Sequence, residues 1–283
     1  LLRREALATL LAGPAWVRAG TTLEPYFEGQ PGAGLLLDIA ARKLRAAYQP
    51  DSAARQLLPP GSTLKPFVLS ALLRLNRIQP DEKFACPGTL SIAGRELPCS
   101  HPKLPEPVNV AAALTYSCNC FVANFARRFR PGELYGSLVR YGLSSPPGLF
   151  PEEAAGRIRA GDTPESIQLQ SLGEENVLVT PAALAMAYRN LALNAAPAIR
   201  EGLEGAVAVG TAQRAQVAGW KIAGKTGTIG ASSPAGRIAW FAGFAPSQAP
   251  GVVVVVMLHA RSGGADAAPV AGRILAAYKA GRL

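Results

Sequence analysis

Three short motifs could carry nucleophilic chemistry, and they occur in order along the chain: Ser62-Thr63-Leu64-Lys65, then Ser117-Cys118-Asn119, then Lys225-Thr226-Gly227 extended by Thr228. A serine and a lysine three apart on a helix share a face, so the amine can reach the hydroxyl. That hydroxyl is a poor nucleophile at neutral pH and needs a base beside it. A lysine serves as the base only when burial or a neighbouring cation lowers its pKa. Lys65 lies one turn into an expected helix with apolar flanks, and Lys225 is the candidate second cation. The dipole of a helix starting at Ser62 would favour the developing negative charge.

The second motif offers Ser117, a hydroxyl able to relay a proton between Lys65 and a leaving amine, and Asn119, an amide able to hold a substrate peptide. A helix N-cap or a buried polar pair would use the same residue types. In the third, Lys225, Thr226 and Thr228 on one strand edge would make a carboxylate-binding wall. Gly227 would remove bulk where a substrate approaches, although a plain glycine kink is the alternative. This composition yields about 0.4 S-x-x-K and about 0.03 K-T-G matches by chance. The specific signal is therefore K-T-G, together with the order of the three.

The elements that must hold these residues can be read from periodicity. Leu35–Ile39 and Lys43–Tyr48 form two arms of an expected hairpin around Ala40-Ala41-Arg42, a turn without the usual Gly or Asn. After Pro59-Pro60-Gly61 a helix is expected from Ser62, with Phe67, Val68, Ala71, Leu72 and Leu75 on its apolar side. Further helices are expected over 108–128, 131–141, 181–194 and 268–279, and strands over 219–228, 237–244 and 251–258. The run Val252–Val256 lacks alternation and reads as a strand buried on both faces. Strands near both ends with helices between them predict an α+β fold: an antiparallel sheet flanked by helices, with an inserted all-helical lobe. The cleft between sheet and lobe is the natural site.

At this point the sequence resembles a known family. Pro60-Gly61-Ser62-Thr63-Leu64-Lys65-Pro66-Phe67 is similar to the active-serine segment of penicillin-binding protein transpeptidase domains, a superfamily that also carries K-T-G. The likeness extends to Ser117-Cys118-Asn119, to Glu175–Pro181 ahead of a helix, and to Ala239–Pro246 after the K-T-G strand. It covers most of 33–283 and is nearest to the class B, transpeptidase-only members. The resemblance implies Ser62 as nucleophile, Lys65 as its base and Ser117 as proton relay. It implies Asn119 on the substrate amide, and Lys225, Thr226 and Thr228 on the terminal carboxylate. The N–H groups of Ser62 and Thr228 would form the oxyanion hole. The implied substrate is the D-Ala-D-Ala end of a peptidoglycan stem peptide, with β-lactams as acylating ligands and cell-wall synthesis proteins as partners; no cofactor is implied. Class B members usually carry a large N-terminal pedestal, for which these 283 residues leave no room. That keeps a carboxypeptidase or accessory role open beside cross-linking.

A class D-like β-lactamase shares S-x-x-K and K-T-G. Such enzymes usually have an aliphatic residue where Asn119 stands and a Tyr-Gly-Asn motif, against Tyr141-Gly142-Leu143 here. Glu174 or Glu175 would be the deacylating base in a class A-like scheme, although a charged loop before a helix explains them as well. A non-enzymatic β-lactam-sensing module is the third reading.

The net charge of +10 and a pI near 9.8 favour anionic partners, but the basic residues form no stripe of the kind nucleic-acid binding uses. Residues 1–20, with Arg3-Arg4 ahead of a short apolar run and Ala19 at a possible cleavage site, read as an export signal or an N-terminal helix, leaving 21–283 as the transpeptidase-like domain. Export places the protein outside the cytoplasm, where Cys86 and Cys99 could close a short loop as a disulfide. Cys118 and Cys120, two apart in an expected helix, face different directions. No C-x2-C spacing supports a zinc site, and His101 and His259 are too far apart in the chain to suggest one.

Overall fold

The structure is a computed structural model that describes residues 22–230, 233 and 236–283; the expected export signal over 1–20 lies outside the described residues. A five-stranded antiparallel sheet forms the frame. It comprises β1 (Gly32–Asp38), β2 (Lys43–Tyr48), β7 (Ala223–Ile229), β8 (Ile238–Ala245) and β9 (Val252–Leu258), in the order β2-β1-β9-β8-β7. Both ends of the chain thus complete one sheet, and β7 is left as an edge.

The sheet is buried on both faces, and the two-residue period sorts its side chains. Leu35, Leu37, Trp240, Val253 and Val255 join one core, and Leu36, Phe241, Val254 and Val256 join the other. All of Val252–Val256 is fully buried, which explains a valine run without alternation. Helices α1 (Glu24–Phe27) and α10 (Ala268–Lys279) cover the second face. On the first face lie α2 (Pro50–Arg55) and α8 (Pro181–Asn194). The β1–β2 turn forms without Gly or Asn because Asp38 Oδ1 accepts from Ala41 N at 2.8 Å and Arg42 takes a left-handed conformation.

Between β2 and β7 the chain builds the inserted lobe. Its helices are α3 (Lys65–Arg74), α4 (Val110–Thr115), α5 (Asn119–Ala126), α6 (Glu133–Arg140), α7 (Pro164–Ser171) and α9 (Pro197–Ala208). The lobe is not all helical. It also carries two ribbons, β3 (Thr89–Ile92) with β4 (Arg95–Pro98), and β5 (Arg157–Ile158) with β6 (Val177–Leu178). Three further expectations change. Ser62 lies in a 3-10 turn, Gly61–Leu64, and the α-helix begins only at Lys65. The helix expected over 108–128 is two helices with a break at Ser117, and the strand expected from 219 begins at Ala223.

The break at Ser117 has a local cause. Ser117 N donates to Leu114 O and Cys118 N to Ala113 O, the paired bonds that close a helix with a left-handed residue. Ser117 is that residue, with φ of 58°, in a place where glycine is usual. Cys118 then caps α5, its sulfur accepting from Phe121 N. Helix α9 holds this corner in place. A methyl at Gly202 would lie 2.7 Å from Ala111 O, and one at Gly205 would lie 2.3 Å from Thr115 Oγ1, so two glycines let α9 sit against α4.

Candidate active site

Where the β7 edge meets the inserted lobe there is a cleft of about 470 Å³. Ser62, Ser117, Asn119, Thr226 and Thr228 line it, joined by Ser100, Glu174, Thr211 and Ser262. Residues from three separate stretches of chain therefore meet in one place, as the motif order implied.

The turn bearing Ser62 is pinned from several directions. Thr63 Oγ1 donates to Pro60 O at 2.7 Å and closes the turn from within. From the sheet, Trp240 Nε1 donates to Pro59 O at 3.0 Å; from α8, Tyr188 Oη donates to Thr63 O at 3.0 Å. Gly61 takes φ of 53°, and its N–H donates to Gly173 O at 3.1 Å. Neither tyrosine nor tryptophan was singled out as a site residue. Trp240 does fall within the Ala239–Pro246 segment that carried the resemblance.

Lys65 is completely buried, and three acceptors converge on its amine. Nζ donates to Asn119 Oδ1 at 2.5 Å, to Ser117 O at 2.8 Å and to Ser117 Oγ at 3.3 Å. Burial pulls its pKa down to about 8, an effect that the nearby cysteine cluster and Glu174 partly offset. Lys225 is also completely buried, and burial with the nearby Lys65 charge holds its pKa well below the usual lysine range. Two buried amines within electrostatic reach disfavour a second positive charge, as a lysine base requires.

Two details of the K-T-G strand differ from expectation. Lys225 does not share a wall with the threonines: in the strand it alternates with Thr226 and lies on the opposite face from Thr226 and Thr228, with Nζ donating to Thr226 O at 3.1 Å. Gly227 makes room for protein, not substrate. A methyl there would stand 2.8 Å from Pro60 O, and on the other side Gly263 already packs on Gly227. The glycine lets β7 approach the Ser62 turn. Thr228 N lies on that same side, 3.6 Å from where a Gly61 methyl would stand, so the strand edge faces the Ser62 segment. Thr226 Oγ1 bonds Thr211 Oγ1 at 2.9 Å, and Thr228 Oγ1 accepts from Gly263 N at 3.1 Å.

Asn119 is engaged at both ends, with Oδ1 on Lys65 and Nδ2 donating to Pro98 O at 2.9 Å. Its present contacts position the amine. Glu174 and Glu175 both pair with Arg95, at 3.0 Å and 2.5 Å, which accounts for them as a charged loop. Tyr141 packs edge-on against Phe67, with ring centroids 4.9 Å apart.

The cysteines are arranged differently from the linear reading. Cys86 and Cys99 are free thiols with sulfurs 3.6 Å apart, and Cys118 and Cys120 both approach Cys99, at 3.8 Å and 3.5 Å. The break at Ser117 turns Cys118 back toward Cys120's side. His101 Nε2 lies 3.8 Å from Cys86 Sγ, while His259 Nε2 lies 3.3 Å from Gln56 Nε2 in a separate region. Spacing along the chain did not reveal the cysteine cluster because its members come from three separate segments, before β3, after β4 and at the start of α5.

Comparison with known proteins agrees with this arrangement. The family model described as the penicillin binding protein transpeptidase domain matches residues 32–197 and 189–276. The peptidoglycan D,D-transpeptidase PbpA of Mycobacterium tuberculosis is 27% identical over 279 residues, covering 80% of this chain and 56% of that protein. The chain thus spans about half the length of the curated relatives it matches. A crystal structure described as a peptidoglycan glycosyltransferase from Burkholderia ambifaria superposes with a TM-score of 0.80 at 25% identity, covering 92% of each chain. The transpeptidase domain of penicillin-binding protein 3 from Burkholderia pseudomallei gives a TM-score of 0.80 at 23% identity, covering 92% of this chain and 91% of that one. The three motifs meet in one cleft at the sheet edge, and the family model runs through all of them from β1 to α10. This chain belongs to the penicillin-binding protein transpeptidase domain family.

Proposed function

We propose that this chain is a serine acyltransferase acting on D-Ala-D-Ala ends of peptidoglycan stem peptides, and that penicillins acylate it. The observation that carries the reading is a buried lysine amine, held by Ser117 and Asn119, at the back of a cleft lined by Ser62, Thr226 and Thr228. The matched relative named a peptidoglycan D,D-transpeptidase supports the substrate class.

The neutral Lys65 amine takes the Ser62 proton as Ser62 Oγ attacks the carbonyl carbon between the two D-alanines. The oxyanion is held by the N–H groups of Ser62 and Thr228, donors worth about 3–4 kcal/mol each in such sites. Collapse breaks the C–N bond. The proton passes from Lys65 through Ser117 Oγ to the leaving D-Ala amine, and an ester remains on Ser62. An amine or water then attacks that ester, Lys65 taking its proton, and Ser62 is regenerated. Thr226 and Thr228 hydroxyls receive the terminal carboxylate, and Lys225, on the face of the strand toward Lys65, supplies positive potential. The reaction takes place outside the cytoplasm, where the stem peptide and other cell-wall synthesis proteins are found.

Fast penicillin hydrolysis would need a base poised on water over the ester. Glu174 and Glu175 are held by Arg95, and Tyr141 is packed on Phe67, which favours a long-lived acyl-enzyme over β-lactamase turnover. Intact-protein mass spectrometry after penicillin treatment tests the proposal. The parent should gain the mass of one penicillin and keep it, and Ser62→Ala should gain none. Equal labelling of both proteins would overturn it.

A further inference from the structure

The densest cluster of chemistry not used by the acyl transfer is sulfur. Cys86 precedes β3, Cys99 and His101 follow β4, and Cys118 stands between Ser117 and Asn119. The three sulfurs form a triangle with edges of 3.5 Å (Cys86–Cys118), 3.6 Å (Cys86–Cys99) and 3.8 Å (Cys99–Cys118). His101 Nε2 lies 3.8 Å from Cys86 Sγ, and the four ligand atoms all lie within 4.8 Å of one another. A disulfide would need about 2.0 Å. A tetrahedral cation with zinc–sulfur bonds of about 2.3 Å sets its sulfurs about 3.8 Å apart. The triangle has the size of one face of that tetrahedron.

The surroundings prepare the same atoms for a cation. His101 Nδ1 lies 2.8 Å from Pro102 O; a carbonyl only accepts, so Nδ1 carries the proton and Nε2 presents its lone pair to the sulfurs. Gly88 N donates to Cys86 Sγ and Phe121 N to Cys118 Sγ, each at 3.4 Å, so backbone bonds orient two of the sulfurs, as outer-shell partners orient metal ligands. Thiolate and imidazole donors select zinc-like ions over magnesium or calcium, which take oxygen.

We propose that Cys86, Cys99, His101 and Cys118 bind one zinc-class divalent cation. Three thiols lose their protons to solvent as three sulfur–metal bonds and one nitrogen–metal bond form. Four protein ligands close the coordination sphere, so the cation is structural. It ties the β3–β4 ribbon to the turn bearing Ser117 and Asn119 and thereby positions the two groups that hold the Lys65 amine. Cys120, 3.5 Å from Cys99, stands beside the site as a non-ligand.

The test uses the full chain, purified without chelator. Elemental mass spectrometry should find one zinc per chain in the parent and in Cys120→Ser, and none in the Cys86→Ser/Cys99→Ser double variant. If the double variant fails to fold, the stripped parent is titrated with cobalt(II). One equivalent should bind, with thiolate-to-cobalt charge-transfer absorption; no such bands at saturating cobalt would overturn the site. Alkylation of the denatured, unreduced parent should label all four cysteines, whereas two fewer labels would show a disulfide and overturn it too. The positioning role rests on the acyltransferase reading. Stripping the metal should slow penicillin acylation at least ~10-fold, with zinc restoring it. Unchanged acylation after verified metal loss would overturn that role alone, because metal stoichiometry is read independently of activity.

Discussion

At the scale of single residues, the decisive quantity is the protonation of Lys65. A lysine in water is a cation until about pH 10.4 and cannot accept a proton below it. Burial brings Lys65 to about 8, so the neutral base becomes available as pH rises through that value. The sign follows directly: acylation should climb as pH rises through about 8 and level off about one unit above it. Lys65→Arg, which cannot deprotonate, should lose roughly 10²–10⁴-fold in acylation rate at every pH. Rates from quenched samples analysed by mass spectrometry across this range check both, and a flat profile would remove Lys65 as the base. That these residues would meet in one cleft was readable because S-x-x-K, S-x-N and K-T-G are local in sequence. The side each residue faces was not. Lys225 and Gly227 face the Ser62 turn while Thr226 and Thr228 lie on the other face of the strand, and those directions depend on how β7 meets that turn.

At the scale of elements, glycine carries opposite meanings in two helices. In α9, Gly205 faces α4 so closely that a methyl would lie 2.3 Å from Thr115 Oγ1, two residues before Ser117. In α6, Gly136 has nothing within 4 Å of a methyl. Helix propensity alone would make Gly→Ala stabilising in both by up to ~1 kcal/mol. Packing reverses the sign at one: Gly205→Ala should destabilise by ~1–3 kcal/mol and slow acylation, and Gly136→Ala should stabilise without affecting acylation. Urea unfolding curves and acylation rates on both variants measure the contrast; equal effects would mean α9 does not set the Ser117 corner. The same glycines hide α9 in the sequence. A segment with Gly202, Gly205 and Gly210 looks like loop until α4 is seen against it. By contrast, α8 and α10 were legible to the residue, since Thr180 accepts from Ala183 N ahead of Pro181, and Pro269 stands at the start of α10. The helix break at Ser117 could not be read, because its left-handed turn is made by a serine.

At the scale of the whole molecule, the cleft exists because two bodies share one turn. The sheet was legible from its valine run and from strands at both ends. The lobe was legible only as helices in sequence, since neither ribbon has enough length or alternation to announce itself. What joins the two is the Pro59–Lys65 segment, held by Trp240 from strand β8 and by Tyr188 from α8, the helix packed on the sheet. Each bond crosses to a backbone carbonyl of the same short turn, and each donor is fully buried. Removing either donor leaves a carbonyl without its partner, at a cost of about 1–3 kcal/mol. Trp240→Phe and Tyr188→Phe should therefore each lower stability and slow acylation of Ser62. If the two hold one rigid turn, their effects on the acylation barrier should be coupled. The double variant should differ from the sum of the singles by ~0.5 kcal/mol or more, as residues sharing a structural unit do. Stability and acylation measured on all four members of this cycle separate the cases. Additive acylation effects would mean that strand β8 and helix α8 act on Ser62 independently, and that the turn does not behave as one rigid unit.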